Sequence, residues 1–128
     1  VAGPAPRSAR PRVAVVGLGP AGPDLTTVGA AARLAAAPVR FLRTHRHPAA
    51  GPWSADPSFD HHYESAATFD DVYAAIVEDL VAAAARHGEV AYAVPGSPHV
   101  LERAVAALLG DERVEVELVP GMSFLDLA

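Results

Sequence analysis

Residues 13–22 read VAVVGLGPAG, and the interpretation of this run decides the fold. Val13 to Val16 is a short, continuously apolar and mostly β-branched stretch closed by a glycine, the pattern of a strand buried on both faces of a parallel sheet. Gly17, Gly19 and Gly22 formally satisfy the G-x-G-x-x-G fingerprint of a dinucleotide-binding turn. That fingerprint is weak on its own, and its usual companions are missing. An Asp or Glu for the ribose hydroxyls belongs roughly 20 residues further on, yet no acidic residue lies between Asp24 and Asp56. In a dinucleotide fold the helix opens inside the glycine turn and offers free N–H groups to the pyrophosphate. Pro20 and Pro23 each remove one such donor. Arg40 or Arg43 could still take the phosphate of an NADP-like ligand, and a tight turn without any ligand is the plain structural alternative.

Working outward, Asp24 is placed to cap a helix over LTTVGAAARLAAA that Pro38 stops. Val39 to Leu42 reads as a second strand, followed by a long connection from about Thr44 to Pro57, a length that marks a functional or mobile segment. Thr68 and Asp71 form a capping-box-like pair. Behind them Phe69, Val72, Tyr73, Ile76, Leu80 and Ala84 recur on one face of a helix that ends at His87-Gly88. Val90 to Val94 is a third buried strand, and His99 to Leu109 a further helix. Val114 to Val119 alternates valine or leucine with glutamate, which predicts a strand with one wet face or an edge position. PGMSFLDLA opens another helical pattern. Strands alternating with helices imply an α/β fold with a parallel sheet and right-handed crossovers. Three strands end alike, in VVGLGP, YAVPGSP and ELVPGMS. In a parallel sheet those turns share one edge, where ligands of open α/β sheets bind.

The chain has 128 residues, 51% apolar and 20% charged, enough for a single core. Residues 1–11 lack apolar periodicity and read as a flexible leader before a domain over 12–128. A net charge of −5 disfavours nucleic acid and anionic lipid as partners. No apolar stretch approaches the roughly 20 residues of a membrane span, so the expected location is cytoplasmic. There is no cysteine, and all ten basic residues are arginine. Thiolate chemistry, a Walker A lysine and a Schiff base are thereby excluded from these residues.

The run VGLGPAGPDLTT, residues 16–27, resembles the N-terminal signature of the tetrapyrrole (corrin/porphyrin) methylase superfamily. FLRTHRHP (41–48), SFDHHYESAATFDDVYAAIVEDL (58–80), YAVPGSPHVLERAV (92–105) and VELVPGMSFLD (116–126) follow in the same order. As a set they look most like the methylase-like domain at the N-terminus of MazG-type nucleoside triphosphate pyrophosphohydrolases. The resemblance implies a three-layer α/β sandwich with a mostly parallel sheet, the N-terminal subdomain of that fold, with S-adenosylmethionine held in a cleft against a second subdomain absent from these residues. It assigns the cofactor wall to Gly17, Gly19, Pro20, Pro95, Gly96, Ser97, Pro98, Pro120, Gly121 and Ser123. Three departures follow: Ala21 stands where the family usually has glycine, Ser97 where true methylases commonly have aspartate, and the second half of the fold is missing. A half-fold leaves apolar surface uncovered, which predicts a homo-oligomer.

Methyl transfer from a sulfonium needs positioning and a dry pocket rather than an enzyme nucleophile. No catalytic residue is therefore expected from pattern alone. MazG-type hydrolysis would need helical E-E-x-x-E carboxylates for magnesium, and none occurs. Asp70-Asp71 and Glu78-Asp79 read as a solvated helix face. Arg43, Thr44, Arg46 and His47 follow a strand end on the ligand edge and are candidates for an anionic substrate or ligand group. The pairs His45/His47 and His61/His62 could bind zinc or nickel, but no carboxylate completes a set by spacing, so no metal site is expected. Trp53 is either a lid or interface anchor or the cap of a small local core. Tyr73 and Tyr92 read as core.

Overall fold

The computed structural model describes residues 10–98 and 102–122. The strands are β1 (Arg12–Gly17), β2 (Arg40–Leu42), β3 (Glu89–Val94) and β4 (Glu115–Val119). The helices are α1 (Val28–Ala36), α2 (Asp60–Ser65), α3 (Phe69–His87) and α4 (Arg103–Leu109), with 3-10 turns at Pro23–Leu25 and Pro48–Trp53. All strand pairs are parallel, in the order β2-β3-β1-β4.

β1 is paired on both sides, with Val13 opposite Val90 and Val116, and Val13 to Val16 are fully buried. Alternation sends its side chains to two cores. Val13 and Val15, with Val90, Tyr92 and Val94, pack under α3 and α4. Ala14 and Val16, with Ala91 and Ala93, pack under α1 through Ala30 and Leu34. Small side chains on that face admit a second neighbour, the 3-10 segment carrying Ala49 and Ala50. Helices on both faces give the three-layer α/β sandwich expected from the sequence, and its four-strand sheet is wholly parallel.

β4 occupies an edge, as its alternating pattern predicts. Val116 and Leu118 pack toward α3 and α4. Glu117 turns to α1, where the Arg33 guanidinium donates to it at 3.0 Å and to Glu89 at 2.6 Å. Arg12 joins Glu117 at 3.3 Å. Arg12, Glu89 and Glu115 are the first residues of their strands, so most of this network lies at the sheet end opposite the glycine turns. Just upstream, Glu115 N–H donates to Pro11 C=O at 2.8 Å. Residues 1–9 of the leader lie outside the described residues.

Several local expectations are corrected. Asp24 sits inside a 3-10 turn and does not cap α1; Thr27 does, its hydroxyl accepting from Ala30 N–H at 3.0 Å. The Pro23–Leu25 turn carries the chain past the sheet edge first, and Thr26 holds it there by donating to Leu18 C=O at 2.8 Å. Thr68 caps α3 as expected, accepting from Asp71 N–H. Phe69 is 67% exposed because it lies in the first turn, beyond the sheet, while Val77 and Val81 fill the face instead. The short helix α2 has too few residues to show a period. α4 begins at Arg103 rather than His99; residues 99–101 and the helical pattern after Met122 lie outside the described residues.

The connection from β1 through α1 to β2 passes β3, and that from β3 through α4 to β4 passes β1 on the opposite face. The turns leaving β1 and β3 therefore cross at the C-terminal edge of the sheet. That crossing is the place to look for a site.

Candidate functional site

At the crossing, Gly19 N–H donates to Gly96 C=O at 3.0 Å and Gly96 N–H to Gly19 C=O at 2.8 Å. Both residues have positive φ, +85° and +69°, a conformation that side chains rarely adopt. The third turn closes on them. A Cβ on Gly17 would lie 2.5 Å from Gly96 O and 2.7 Å from Gly121 N, and one on Gly121 would lie 2.6 Å from Gly17 O. Gly17 and Gly121 are thus needed for backbone to pack on backbone. Gly96 differs, because its missing Cβ faces open space and leaves room for a ligand at the loop surface.

Pro20, Pro95, Gly96, Ser97, Pro98, Pro120 and Gly121 all lie in these turns, so the structure brings together nine of the residues assigned to the cofactor wall; Ser123 lies outside the described residues. Ser97 is the buried polar side chain among the described residues, and its Oγ accepts from Gly121 N–H at 3.4 Å. Ala21, where the family usually has glycine, carries no strain, since no described residue other than glycine has positive φ.

The same geometry counts against a dinucleotide. α1 starts at Val28 under its own Thr27 cap, too far along the chain for its free N–H groups to belong to the glycine turn. Arg40 is bound to Asp56 at 2.8 Å, donates to Leu34 C=O, and lies over the Trp53 ring at 5.3 Å. Trp53 itself packs on the α1 core, which makes it the cap of a local core.

The RTHRHP segment borders the crossing. His47 Nδ1 accepts from Ala49 N–H at 3.1 Å, leaving Nε2–H to donate to the Pro20 carbonyl. Burial, with the charge of Arg43, pushes this imidazole below its ordinary value, and it is neutral at pH 7. Arg46 is exposed and paired with Glu64 at 2.6 Å. The Arg43 backbone N–H is tied to Ala93 C=O at 2.9 Å, while its guanidinium has no carboxylate partner among the described residues. It lines a groove of about 350 Å³ with Thr44, Arg46, Asp60, Tyr63 and Tyr73.

Behind that groove, Tyr92 is fully buried and its hydroxyl donates to Glu102 at 2.9 Å. Burial raises both groups, the phenol well above its ordinary value. Asp60 moves down. Burial would raise it, but hydrogen bonds from the Thr44 hydroxyl, the His45 N–H at 3.0 Å and the Ser58 hydroxyl at 3.1 Å outweigh that effect. Tyr63, Glu102 and Asp60 were not legible as site residues. No motif links them, and only the closure of α2 and α4 on the end of β3 assembles them around Arg43.

Three acids of the α3 pairs are engaged by basic side chains. Asp70 is taken by Arg103 at 2.7 Å and Glu78 by Arg113. Asp79 accepts from the His62 ring at 2.6 Å, with His61 alongside. His45 instead contacts Asp56 C=O, so the two histidine pairs stay apart.

The profile of the Tetrapyrrole (Corrin/Porphyrin) Methylases family matches residues 12–128. The chain belongs to that family. It is 37% identical over 122 residues to the uncharacterized protein YabN of Bacillus subtilis, covering 90% of this chain and 25% of that one. Among solved structures, uroporphyrin-III C-methyltransferase from Thermus thermophilus superposes with a TM-score of 0.65 at 27% identity, over 89% of this chain and 49% of that enzyme. The Thermus thermophilus enzyme complexed with S-adenyl homocysteine gives 0.59 at 24% identity, again over 89% and 49%. The chain thus spans a quarter of the curated relative and about half of these enzymes. Among the described residues, no helix is long and apolar enough to cross a membrane.

Proposed function

We propose that this domain supplies one wall of an S-adenosylmethionine site and works as half of a methyltransferase of the tetrapyrrole methylase class. The observation that carries the reading is the crossing of the three strand-end turns, with Gly17, Gly96 and Gly121 in backbone contact and the open side of Gly96 facing outward. A backbone surface without side chains at the C-terminal edge of a parallel sheet suits close approach of an adenosyl group, whose hydroxyls and ring nitrogens can meet turn N–H and C=O groups. Bound there, the cofactor supplies an electrophilic methyl group. The chain's own residues position and dehydrate it: Pro20, Pro95 and Pro98 stiffen the turns, and Ser97 links the second turn to the third. Arg43, half-buried and in no direct ion pair among the described residues although its charge acts on the Glu102 carboxyl, is placed to hold an anionic group of the methyl acceptor, with a tenfold affinity change per roughly 1.4 kcal/mol of contact.

Titration of S-adenosylmethionine and S-adenosylhomocysteine into the full-length protein by calorimetry tests this. Saturable binding, weakened by Gly96→Val, is expected. No heat and no thermal shift at ligand concentrations on the order of millimolar would overturn it.

A second reading joins the domain, as a non-catalytic regulatory, oligomerisation or ligand-sensing module, to a MazG-type nucleoside triphosphate pyrophosphohydrolase. Ser97 favours it, because a hydroxyl tied to Gly121 stands where true methylases commonly carry a carboxylate. Ligand binding without methyl transfer to any acceptor would select this reading.

A further inference from the structure

We propose that His61, His62 and Asp79 form a binding site for a divalent transition-metal ion of the zinc class, clamping α2 onto α3. One ligand atom from each of the three lies within 4.8 Å of the other two. Zinc holds imidazole nitrogen at about 2.0–2.1 Å and carboxylate oxygen at about 2.0–2.2 Å, so ligand atoms around it sit roughly 3–3.5 Å apart. The His62–Asp79 pair at 2.6 Å would open slightly and His61 draw in for all three to reach that spacing.

The site is held in place from behind. The His62 ring is stacked at 5.8 Å on Phe59, which is fully buried and stacked in turn on Phe41 at 5.1 Å. Its Nε2 already meets Asp79 Oδ2 at 2.6 Å, and a cation entering between them replaces the shared proton, which the other ring nitrogen can carry. The His61 ring, 4.1 Å from that of His62, is exposed and opens the entry path. Two nitrogens and one oxygen suit zinc, nickel or cobalt and not magnesium or calcium, which take all-oxygen sets. Three protein ligands leave a fourth position for water. Asp79 comes from the middle of α3, 17 residues beyond His62, and none of the three ligands lines the Arg43 groove.

Zinc titration of the full-length protein by calorimetry, with thermal unfolding alongside, tests the proposal. One equivalent is expected at this site, with a rise in unfolding temperature because the ion binds only the folded arrangement. Affinity should fall by more than about tenfold in each of His61→Ala, His62→Gln and Asp79→Asn and stay unchanged in His45→Ala and His87→Ala. Cobalt should bind the same site with a visible ligand-field spectrum, and magnesium should not compete. His61→Ala guards against loss of fold, since its exposed ring packs on no core. Failure to take up zinc, wild-type affinity in any of the three variants, or equal competition by magnesium would each overturn the assignment.

Discussion

Gly17→Ala is the sharpest test of the crossing. The added methyl would stand 2.5 Å from Gly96 O and 2.7 Å from Gly121 N, whereas ordinary contact begins at 3.4 Å. Both opposing atoms are backbone, so the turns must separate by roughly 1 Å, the kind of overpacking that costs about 1–3 kcal/mol. Separation also strains the bonds from Leu18 N–H to Val94 C=O at 2.8 Å and between Gly19 and Gly96, each contributing about 0.5–1.5 kcal/mol. A loss of about 2–4 kcal/mol is expected, a large share of the 5–15 kcal/mol typical of a domain. Gly29→Ala is the control. Nothing lies within 4 Å of its Cβ position in α1, so a gain of a few tenths to about 1 kcal/mol is expected from helix propensity. Urea unfolding followed by circular dichroism, at constant slope, measures both. If Gly17→Ala unfolds within about 0.5 kcal/mol of the parent, or Gly29→Ala loses as much, the close packing of the turns is refuted.

Three further outcomes follow from the side-chain partners. His47 is held below its ordinary value near 6.5 in the folded state, so the unfolded chain binds the extra proton first; stability should fall as pH drops below about 6.5, and His47→Gln should flatten that slope in unfolding curves. Tyr92→Phe keeps the ring against Phe59 but strips the donor from half-buried Glu102, which should cost about 1–3 kcal/mol at neutral pH and less once Glu102 is protonated, a trend read from urea midpoints across pH. Arg33→Met leaves Glu89 and Glu117 facing each other without their shared cation. Glu117 is held below its ordinary value mainly by that guanidinium. The parent should therefore lose stability as pH falls below about 4.5, and the variant, in which Arg12 alone still faces Glu117, should show a smaller step.

The sequence by itself determined the strands and the layer order. β-branched runs ended by glycine read the same in any context, and Thr68 with Asp71 marks a helix start whatever surrounds it. It also determined the three matching turns, because a parallel sheet obliges strands that end alike to end together. What only the tertiary structure decided were pairings between groups far apart in the chain. Asp24 lost the α1 cap to Thr27 because the chain had first to turn past the sheet edge. Arg46 pairs with Glu64 of α2, while Arg43 makes no direct ion pair among the described residues, because the other acid of α2, Asp60, is turned to Thr44, His45 and Ser58. Gly17 and Gly121 proved to serve backbone packing, and Gly96 the open surface, a division that depends on which side of each Cα another strand happens to lie. His61 and His62 likewise met Asp79 only because Phe59 anchors α2 against the sheet beside α3, and contacts across such separations are set by packing, not by local pattern.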